Sequence, residues 1–154
     1  MPHNFNIIIS DTSCLILLSK IDELGLLKQV GDKVYVTSIV KDEFRENLPS
    51  WISIVDSKNA YYQEILKMEL DEGEASAIAL SLEIDNSILI IDELKGRKIA
   101  ERLMLRYSGT FGLILTAKRQ NLIKSVKPIL NKIRLTNFRF SDKLFETVLR
   151  EAGE

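Results

Sequence analysis

Cysteine and histidine are almost absent from this 154-residue chain, which has one Cys, Cys14, and one His, His3. A single Cys excludes an internal disulfide, and its position in a Leu/Ile run is typical of a buried thiol rather than a nucleophile. One His near the first residue argues against a Ser-His-Asp triad and against a zinc site. The chemistry of this protein is therefore expected to use other side chains.

Several motifs and segments are also missing. The chain has neither GxGxxG nor GxxxxGK[ST], which argues against dinucleotide and P-loop nucleotide binding. The Asp-Thr-Ser-Cys segment at residues 11–14 lacks the second Asp of a DxD-type phosphatase. No apolar run is long enough to span a bilayer, and the start of the chain does not resemble a signal peptide. We therefore expect a soluble, cytoplasmic protein without membrane contact.

Charge is distributed unevenly along the chain. Residues 1–93 contain 7 Lys/Arg against 17 Asp/Glu, a net charge of −10, whereas residues 94–154 contain 14 against 5, a net charge of +9. This asymmetry is consistent with a protein that collects cations on one face and contacts a polyanion on another. The alternative is that both halves interleave in space and merely solvate the surface.

Apolar patterning predicts alternating strands and helices. The Ile-rich run Phe5–Asp11 ends in a carboxylate and is typical of a strand buried on both faces, and residues 87–91 (SILII) repeat that pattern before Asp92. Further strands are predicted at residues 33–37, 51–55 and 106–110. Two short helices are predicted from residue 12 onward, with a break near residues 22–25, and further helices at residues 39–46, 61–70, 75–82 and 94–104, with Ser38 as a possible cap of the first of these. A last helix of this part starts at Thr110 or Gly112 and runs to about Arg119. This alternation indicates a doubly wound α/β parallel sheet.

The chain is about the size of one domain, and we expect residues 1–154 to form a single one, with an α/β core in residues 1–120 and a C-terminal helical extension in residues 121–154. Two amphipathic helices are predicted in the extension, at residues 125–135 and 141–151. They could complete the core, form a dimer contact or bind a partner.

Four carboxylates follow a strand or begin a helix in comparable places. Strand exits of a parallel sheet share one edge, so these acids could converge there despite their separation in sequence. Like charges about 4 Å apart repel by roughly 1 kcal/mol in water, which a hard cation such as Mg²⁺ or Mn²⁺ would relieve. Taken singly, each acid could instead be a helix cap or a solvated side chain. The four are Asp11, Glu43, Glu74 and Asp92.

The sequence resembles the PIN-domain family, and more closely the prokaryotic PIN-like proteins and VapC-type toxins. The resemblance rests on ISDTSCLILLSKI, VTSIVKDEF, DEGEASAIALSLE and ILIIDELKGRKIAERL, and it continues through GTFGLILTAK and SVKPILNKI. Together these segments cover nearly the whole chain in the order typical of the family.

The resemblance implies a central parallel sheet of strand order 3-2-1-4-5 and a metal-dependent ribonuclease. RNA phosphodiesters would be hydrolysed by in-line attack of water with Mg²⁺ or Mn²⁺ as cofactor and without a side-chain nucleophile. The family also implies a homodimer and, for a toxin, an antitoxin protein as partner. The rival interpretation is a catalytically silent PIN-like module that binds RNA or protein, and a nuclease acting on DNA is a third possibility.

By motif, the resemblance assigns the four catalytic acids to Asp11, Glu43, Glu74 and Asp92, with Ser13 orienting the first. The chain departs from many toxins of the family, which have Asp at the third place and Thr-x-Asp at the fourth. Because the fourth motif here is Ile-Asp-Glu, Glu93 is an additional candidate metal ligand. Lys95, Arg97 and Lys98 begin the helix after Asp92 and are candidates for contacts with the RNA backbone.

Overall fold

The computed structural model describes residues 7–154, which form a five-stranded sheet with the order β3-β2-β1-β4-β5. All paired strands run parallel. The order reverses between β1 and β4, so helices cover both faces. The strands are β1 (Ile7–Ser10), β2 (Lys33–Val36), β3 (Ile52–Ile54), β4 (Ser87–Ile90) and β5 (Tyr107–Ser108). The predicted doubly wound architecture and strand order are confirmed.

The helices alternate with these strands and continue beyond them. Those within the alternating part are α1 (Thr12–Lys20), α2 (Gly25–Val30), α3 (Ser38–Phe44), α4 (Ala60–Leu66), α5 (Glu72–Glu83), α6 (Leu94–Arg102) and α7 (Thr110–Arg119). The chain then adds α8 (Lys127–Arg134) and α9 (Asp142–Glu151). Within residues 7–154, no helix is both long enough and apolar enough to cross a membrane.

The central strand β1 is buried on both faces, as its Ile run predicts. Ile8 and Ile9 are both fully buried, and their side chains point to opposite sides of the sheet. Ile8 belongs to a cluster with α1, α2, α7 and the C-terminal helices, whereas Ile9 packs with α5 and with Ala100 of α6. Small side chains of α5 allow that helix to lie close to the sheet. Residues 5 and 6 of the predicted run lie outside the described residues.

The C-terminal helices contribute apolar side chains to the same core as α1. Leu130 and Ile133 of α8 and Val148 of α9 are almost completely buried in that cluster. Burial of such a side chain stabilises the fold by roughly 1.5–3 kcal/mol.

Several predicted element boundaries were wrong for local reasons. The helix predicted at residues 75–82 begins at Glu72, because Asp71 caps it by accepting a hydrogen bond from the Glu74 N–H (2.8 Å).

The bounds of two other helices also differ from those predicted. Thr37, not Ser38, caps α3. Arg45 adopts a left-handed conformation (φ 62°) and ends α3 before residue 46. The helix predicted at residues 61–70 ends at Leu66 in tightened turns.

Candidate active site

Asp11 occupies the junction between β1 and α1. It is 2% exposed, and its Oδ1 accepts a hydrogen bond from the Ser13 backbone N–H (2.9 Å), so it is the N-cap of α1. The Asp11 N–H also donates to the Ile90 carbonyl oxygen on β4 (3.1 Å). The polar sequence Asp-Thr-Ser therefore both starts the helix and fixes a carboxylate at the carboxyl edge of the central strand.

Asp92 follows β4, the strand that pairs with β1 in register Ser10 to Ile90. Its interpretation as an N-cap of α6 was wrong, because Glu93 takes the cap position. The Asp92 carboxylate instead accepts two hydrogen bonds from Thr110 at the start of α7, from N–H to Oδ1 (2.7 Å) and from the hydroxyl to Oδ2 (2.6 Å). Asp11 and Asp92 therefore end neighbouring strands where the winding reverses, which is where open α/β sheets bind ligands.

Glu74 lies in the first turn of α5 and is 8% exposed. It forms only half of a capping box with Asp71, because Asp71 accepts a hydrogen bond from the Glu74 N–H while the Glu74 carboxyl belongs to the acidic cluster. Gly96 of α6 lies next to this carboxyl, and a Cβ at position 96 would overlap the Ile91 side chain (2.6 Å) rather than Glu74.

Glu43 projects from α3 toward the start of α1. Its Oε1 accepts a hydrogen bond from the Thr12 hydroxyl (2.6 Å), 31 residues away in the sequence. Gly73 of α5 also lies against Glu43, and a Cβ at position 73 would overlap the Glu43 carboxylate. The absence of a side chain at position 73 therefore allows α5 to bring Asp71 and Glu74 beside Glu43.

The charges of these acids raise the pKa values of the two buried ones. Burial and, to a smaller extent, the charges of Asp92, Asp71 and Glu43 together raise the pKa of Asp11 to about 7, although the hydrogen bond from Ser13 lowers it. Burial likewise raises the pKa of Glu74 to about 7, together with the charges of Asp71, Asp11 and Glu93. All four predicted acids therefore belong to one electrostatic cluster, which also includes Asp71 and Glu93.

The chemistry of this donor set suits a hard divalent cation. Carboxylate oxygens are the preferred ligands of Mg²⁺ and Mn²⁺. The raised pKa values arise first from burial and then from neighbouring negative charge, which a cation would neutralise. Among residues 7–154, however, no three His, Cys, Asp or Glu side chains are close enough to form a ready-made metal site. Asp11 and Asp92, which follow neighbouring strands and are held by hydrogen bonds from Ser13 and Thr110, are the residues that fit such an ion best.

The remaining candidates occupy the periphery of the cluster. Ser13 is exposed, and its recorded contact with Asp11 comes from its backbone. Glu93, Lys95 and Lys98 are exposed around the start of α6. Arg97 is half-buried, with its guanidinium 5.4 Å from the centre of the Tyr107 ring.

Cys14 is fully buried in the Leu-rich core, and burial raises the pKa of its thiol. The prediction of a buried thiol is therefore confirmed.

Sequence reasoning missed three residues that shape the site. Thr12 binds Glu43, Asp71 adds a carboxylate beside Asp11 and Glu74, and Thr110 holds Asp92. Asp71 has the sequence position of a helix cap and is the N-cap of α5, so nothing in the sequence indicates that its charge also acts on Asp11 and Glu74. Thr110 follows Gly109 at a predicted helix start, but no local signal linked it to an acid 18 residues earlier.

The fold and the acid cluster define a doubly wound α/β protein whose candidate active site lies at the switch point of the sheet. A family model described as a PIN domain matches residues 7–154. The chain belongs to the PIN-domain family, whose members are commonly nucleases. A search of curated proteins found no match.

A nuclease that used Asp92 as a metal ligand would lose about 10-fold to 100-fold of its activity in Thr110→Val, the usual cost of losing a group that orients such a ligand. The substitution keeps the shape of this fully buried side chain and the N–H bond to Asp92, but it removes the hydroxyl donor to Oδ2. Initial rates with Mn²⁺ would measure the effect. Thr116→Val is the matched control, because the Thr116 hydroxyl donates to the Gly112 carbonyl oxygen and accepts from Arg119, both within its own helix. Equal losses in both variants would contradict the orienting role of Thr110.

Proposed function

We propose that this protein is a metal-dependent endoribonuclease that hydrolyses RNA phosphodiester bonds, with Mg²⁺ or Mn²⁺ as cofactor. The observation that carries the proposal is the convergence of Asp11, Glu43, Glu74 and Asp92 at the switch point of a PIN-domain sheet, with the pKa values of two of them raised by burial and by their neighbours' charges. A cluster of this kind is stable at neutral pH only if protons or cations neutralise it.

Each acid has a proposed role that follows from its surroundings. Asp11 and Asp92 would hold the cation, the first oriented by the Ser13 N–H and the second by Thr110. Glu43, Glu74 and Glu93 would complete the negative site, with Thr12 orienting Glu43. The bound ion would supply activation of water and neutralisation of the charge that develops on the phosphate.

The substrate contacts follow from charge. Lys95, Arg97 and Lys98 lie on the helix that begins two residues after Asp92, and phosphate contacts from such side chains position an RNA strand without reading its sequence. The cationic groups of these side chains would also offset repulsion between the acid cluster and the RNA backbone.

The cellular role that we propose is that of the toxin in a toxin–antitoxin pair, with a small antitoxin protein as partner. We further propose a cytoplasmic homodimer in which residues 1–154 form one domain. Support for the single domain comes from α8 and α9, which share the apolar cluster of α1 and α7.

Cleavage of matched RNA and DNA strands tests the proposal. We expect the wild-type protein to cut single-stranded RNA with Mn²⁺ or Mg²⁺, to leave the DNA strand intact and to lose activity in EDTA. Cleavage of the DNA strand alone would assign a DNA nuclease. Inactivity with every divalent metal on both polymers would favour the catalytically silent binding module. The observation that favours this alternative is the lack of a ready-made three-ligand metal site among residues 7–154.

A further inference from the structure

A cleft beside the acid cluster belongs to no part of the site described above. It has a volume of about 410 Å³, within the range of roughly 300–1,000 Å³ typical of small-ligand clefts. Its lining is Ser13, Ile16, Leu17, Lys20, Asn137 and Phe138. Ser13 is one of these lining residues and its N–H binds Asp11, so the cleft adjoins the candidate active site.

We propose that this cleft is a nucleobase subsite, in which one unpaired base of a single-stranded RNA stacks on Phe138 next to the phosphate to be cut. This inference rests on the proposed nuclease function and adds the part of the substrate that the site would recognise. Ile16, Leu17 and Phe138 offer an apolar wall, and Asn137 and Lys20 offer hydrogen-bonding groups at its edge. Single-stranded nucleic acids are typically bound by this combination of aromatic, amide and cationic groups.

The wall of the cleft is held in place before any ligand arrives. The Thr136 hydroxyl donates to the Ile133 carbonyl oxygen (2.6 Å) and accepts from the Phe138 N–H (3.1 Å), which fixes the turn after α8. Lys20 Nζ donates to Asn137 Oδ1 (3.1 Å) and ties that turn to α1. A preorganised cleft binds a base without the cost of ordering a loop.

Aromatic packing connects this turn to the acid cluster. The rings of Phe138 and Phe111 meet edge to face, with their centres 6.0 Å apart. Phe111 directly follows Thr110, the residue that holds Asp92. Phe138 is only partly buried, so one part of its ring packs on Phe111 while another lines the cleft. The distance from the subsite to the acids is therefore fixed by contiguous packed residues.

A second cleft, of about 280 Å³, opens on the other side of Asp92 and is a poorer candidate for a strand of RNA. Its lining includes the carboxylates of Asp92 and Glu151 as well as Arg97. Carboxylates repel phosphates, whereas among residues 7–154 the charged side chain that lines the first cleft is that of Lys20. Charge therefore favours the first cleft as the place where the RNA strand binds.

Binding of intact RNA by the wild-type protein in EDTA tests the subsite separately from cleavage. The probe is a fluorescein-labelled single-stranded RNA of about eight nucleotides, a length suited to one binding site, and anisotropy gives the Kd. We expect Phe138→Leu to raise the Kd by about 10-fold, because a stacked aromatic side chain is lost while apolar volume is largely kept. An abasic ribose-phosphate strand of the same length should bind wild type and Phe138→Leu equally weakly.

The matched control is Phe140→Leu. Phe140 lies in the same segment and also packs on Phe111, with ring centres 5.1 Å apart, but it does not line the cleft. We expect its Kd to stay within about twofold of wild type, since no stacking surface is lost. Thermal melting of both variants checks that they fold. Asn137→Ala, at an exposed position that lines the cleft, gives a second test if Phe138→Leu does not fold.

Three results would overturn the subsite. The first is an equal rise in the Kd for RNA in Phe138→Leu and Phe140→Leu, and the second is an unchanged Kd in both Phe138→Leu and Asn137→Ala. The third is binding of the abasic strand by wild type as tight as that of the RNA. Base-dependent binding through Phe138 without cleavage under any metal would instead leave the subsite standing and remove the nuclease proposal. Cleavage by wild type, with normal RNA binding by both Phe138→Leu and Asn137→Ala, would support the nuclease proposal and remove the subsite.

Discussion

RNA cleavage with Mn²⁺ is expected to fall by at least about 100-fold in Asp11→Asn, comparable to the loss of one group that stabilises charge in a transition state. Asn keeps the shape of Asp and can still accept the hydrogen bond from the Ser13 N–H, so α1 keeps its cap. The substitution removes the carboxylate charge, which a hard cation requires far more than an amide oxygen. Single-turnover cleavage of a labelled RNA, with circular dichroism to verify folding, measures the effect.

Asp42→Asn is the matched control for this loss. Asp42 is exposed on α3 beside Glu43 and is not among the charges that raise the pKa of Asp11. Its substitution removes one negative charge from the same region without changing the electrostatics of Asp11, so we expect near wild-type cleavage. Full activity of Asp11→Asn would exclude Asp11 as a metal-holding residue and would remove the main support for the nuclease proposal.

Stability of the metal-free protein is expected to decrease as the pH rises from about 4 to about 7. The pKa of Asp11 rises from 3.8 to about 7 on folding, so the folded state binds more protons than the unfolded chain within that window. Stability therefore decreases with pH there and is constant with respect to this group above it. The difference corresponds to a loss on the order of 4 kcal/mol for this buried group.

Urea unfolding at pH 5 and pH 8 in EDTA measures this effect. Asp11→Asn should be more stable than wild type at pH 8 and should lose the part of the pH dependence that Asp11 contributes, because its side chain does not ionise. The part contributed by Glu74, whose pKa is also raised to about 7, should remain. Adding Mn²⁺ should stabilise wild type more at pH 8 than at pH 5, since metal binding requires deprotonated carboxylates. A wild-type protein that gains stability between pH 4 and pH 7 would contradict the raised pKa of Asp11.

The buried strands were the part of the fold that the sequence predicted best. The Ile runs before Asp11 and Asp92 are apolar on both faces, and only a central strand of a parallel sheet provides such an environment. The strand order 3-2-1-4-5 came from resemblance to the PIN-domain family, because local patterns do not specify which strands pair. The positions of helix ends were less predictable, since Asp71, Thr37 and Arg45 set them through single hydrogen bonds and backbone angles.

For the candidate site, motif order identified the four acids, and the fold brings them into one cluster. The partners of those acids were not predictable, because each contact crosses between elements that are distant in sequence. The Thr12 hydroxyl reaches Glu43 on another helix, and Thr110 reaches Asp92 from the start of α7. Gly73 appeared as an interruption between helices, yet its missing side chain is what lets α5 pack beside Glu43.

The sequence by itself determined which segments are buried and which acids follow the strands, because apolar periodicity and strand exits are local properties. Only the tertiary structure decided what surrounds each acid. Burial and the charges of neighbouring carboxylates, which depend on packing between α1, α3, α5 and β4, raise the pKa of Asp11 to about 7. Asp11 ends the strand at the centre of the sheet, and the fold places three further carboxylates, those of Asp92, Asp71 and Glu43, close enough to raise its pKa.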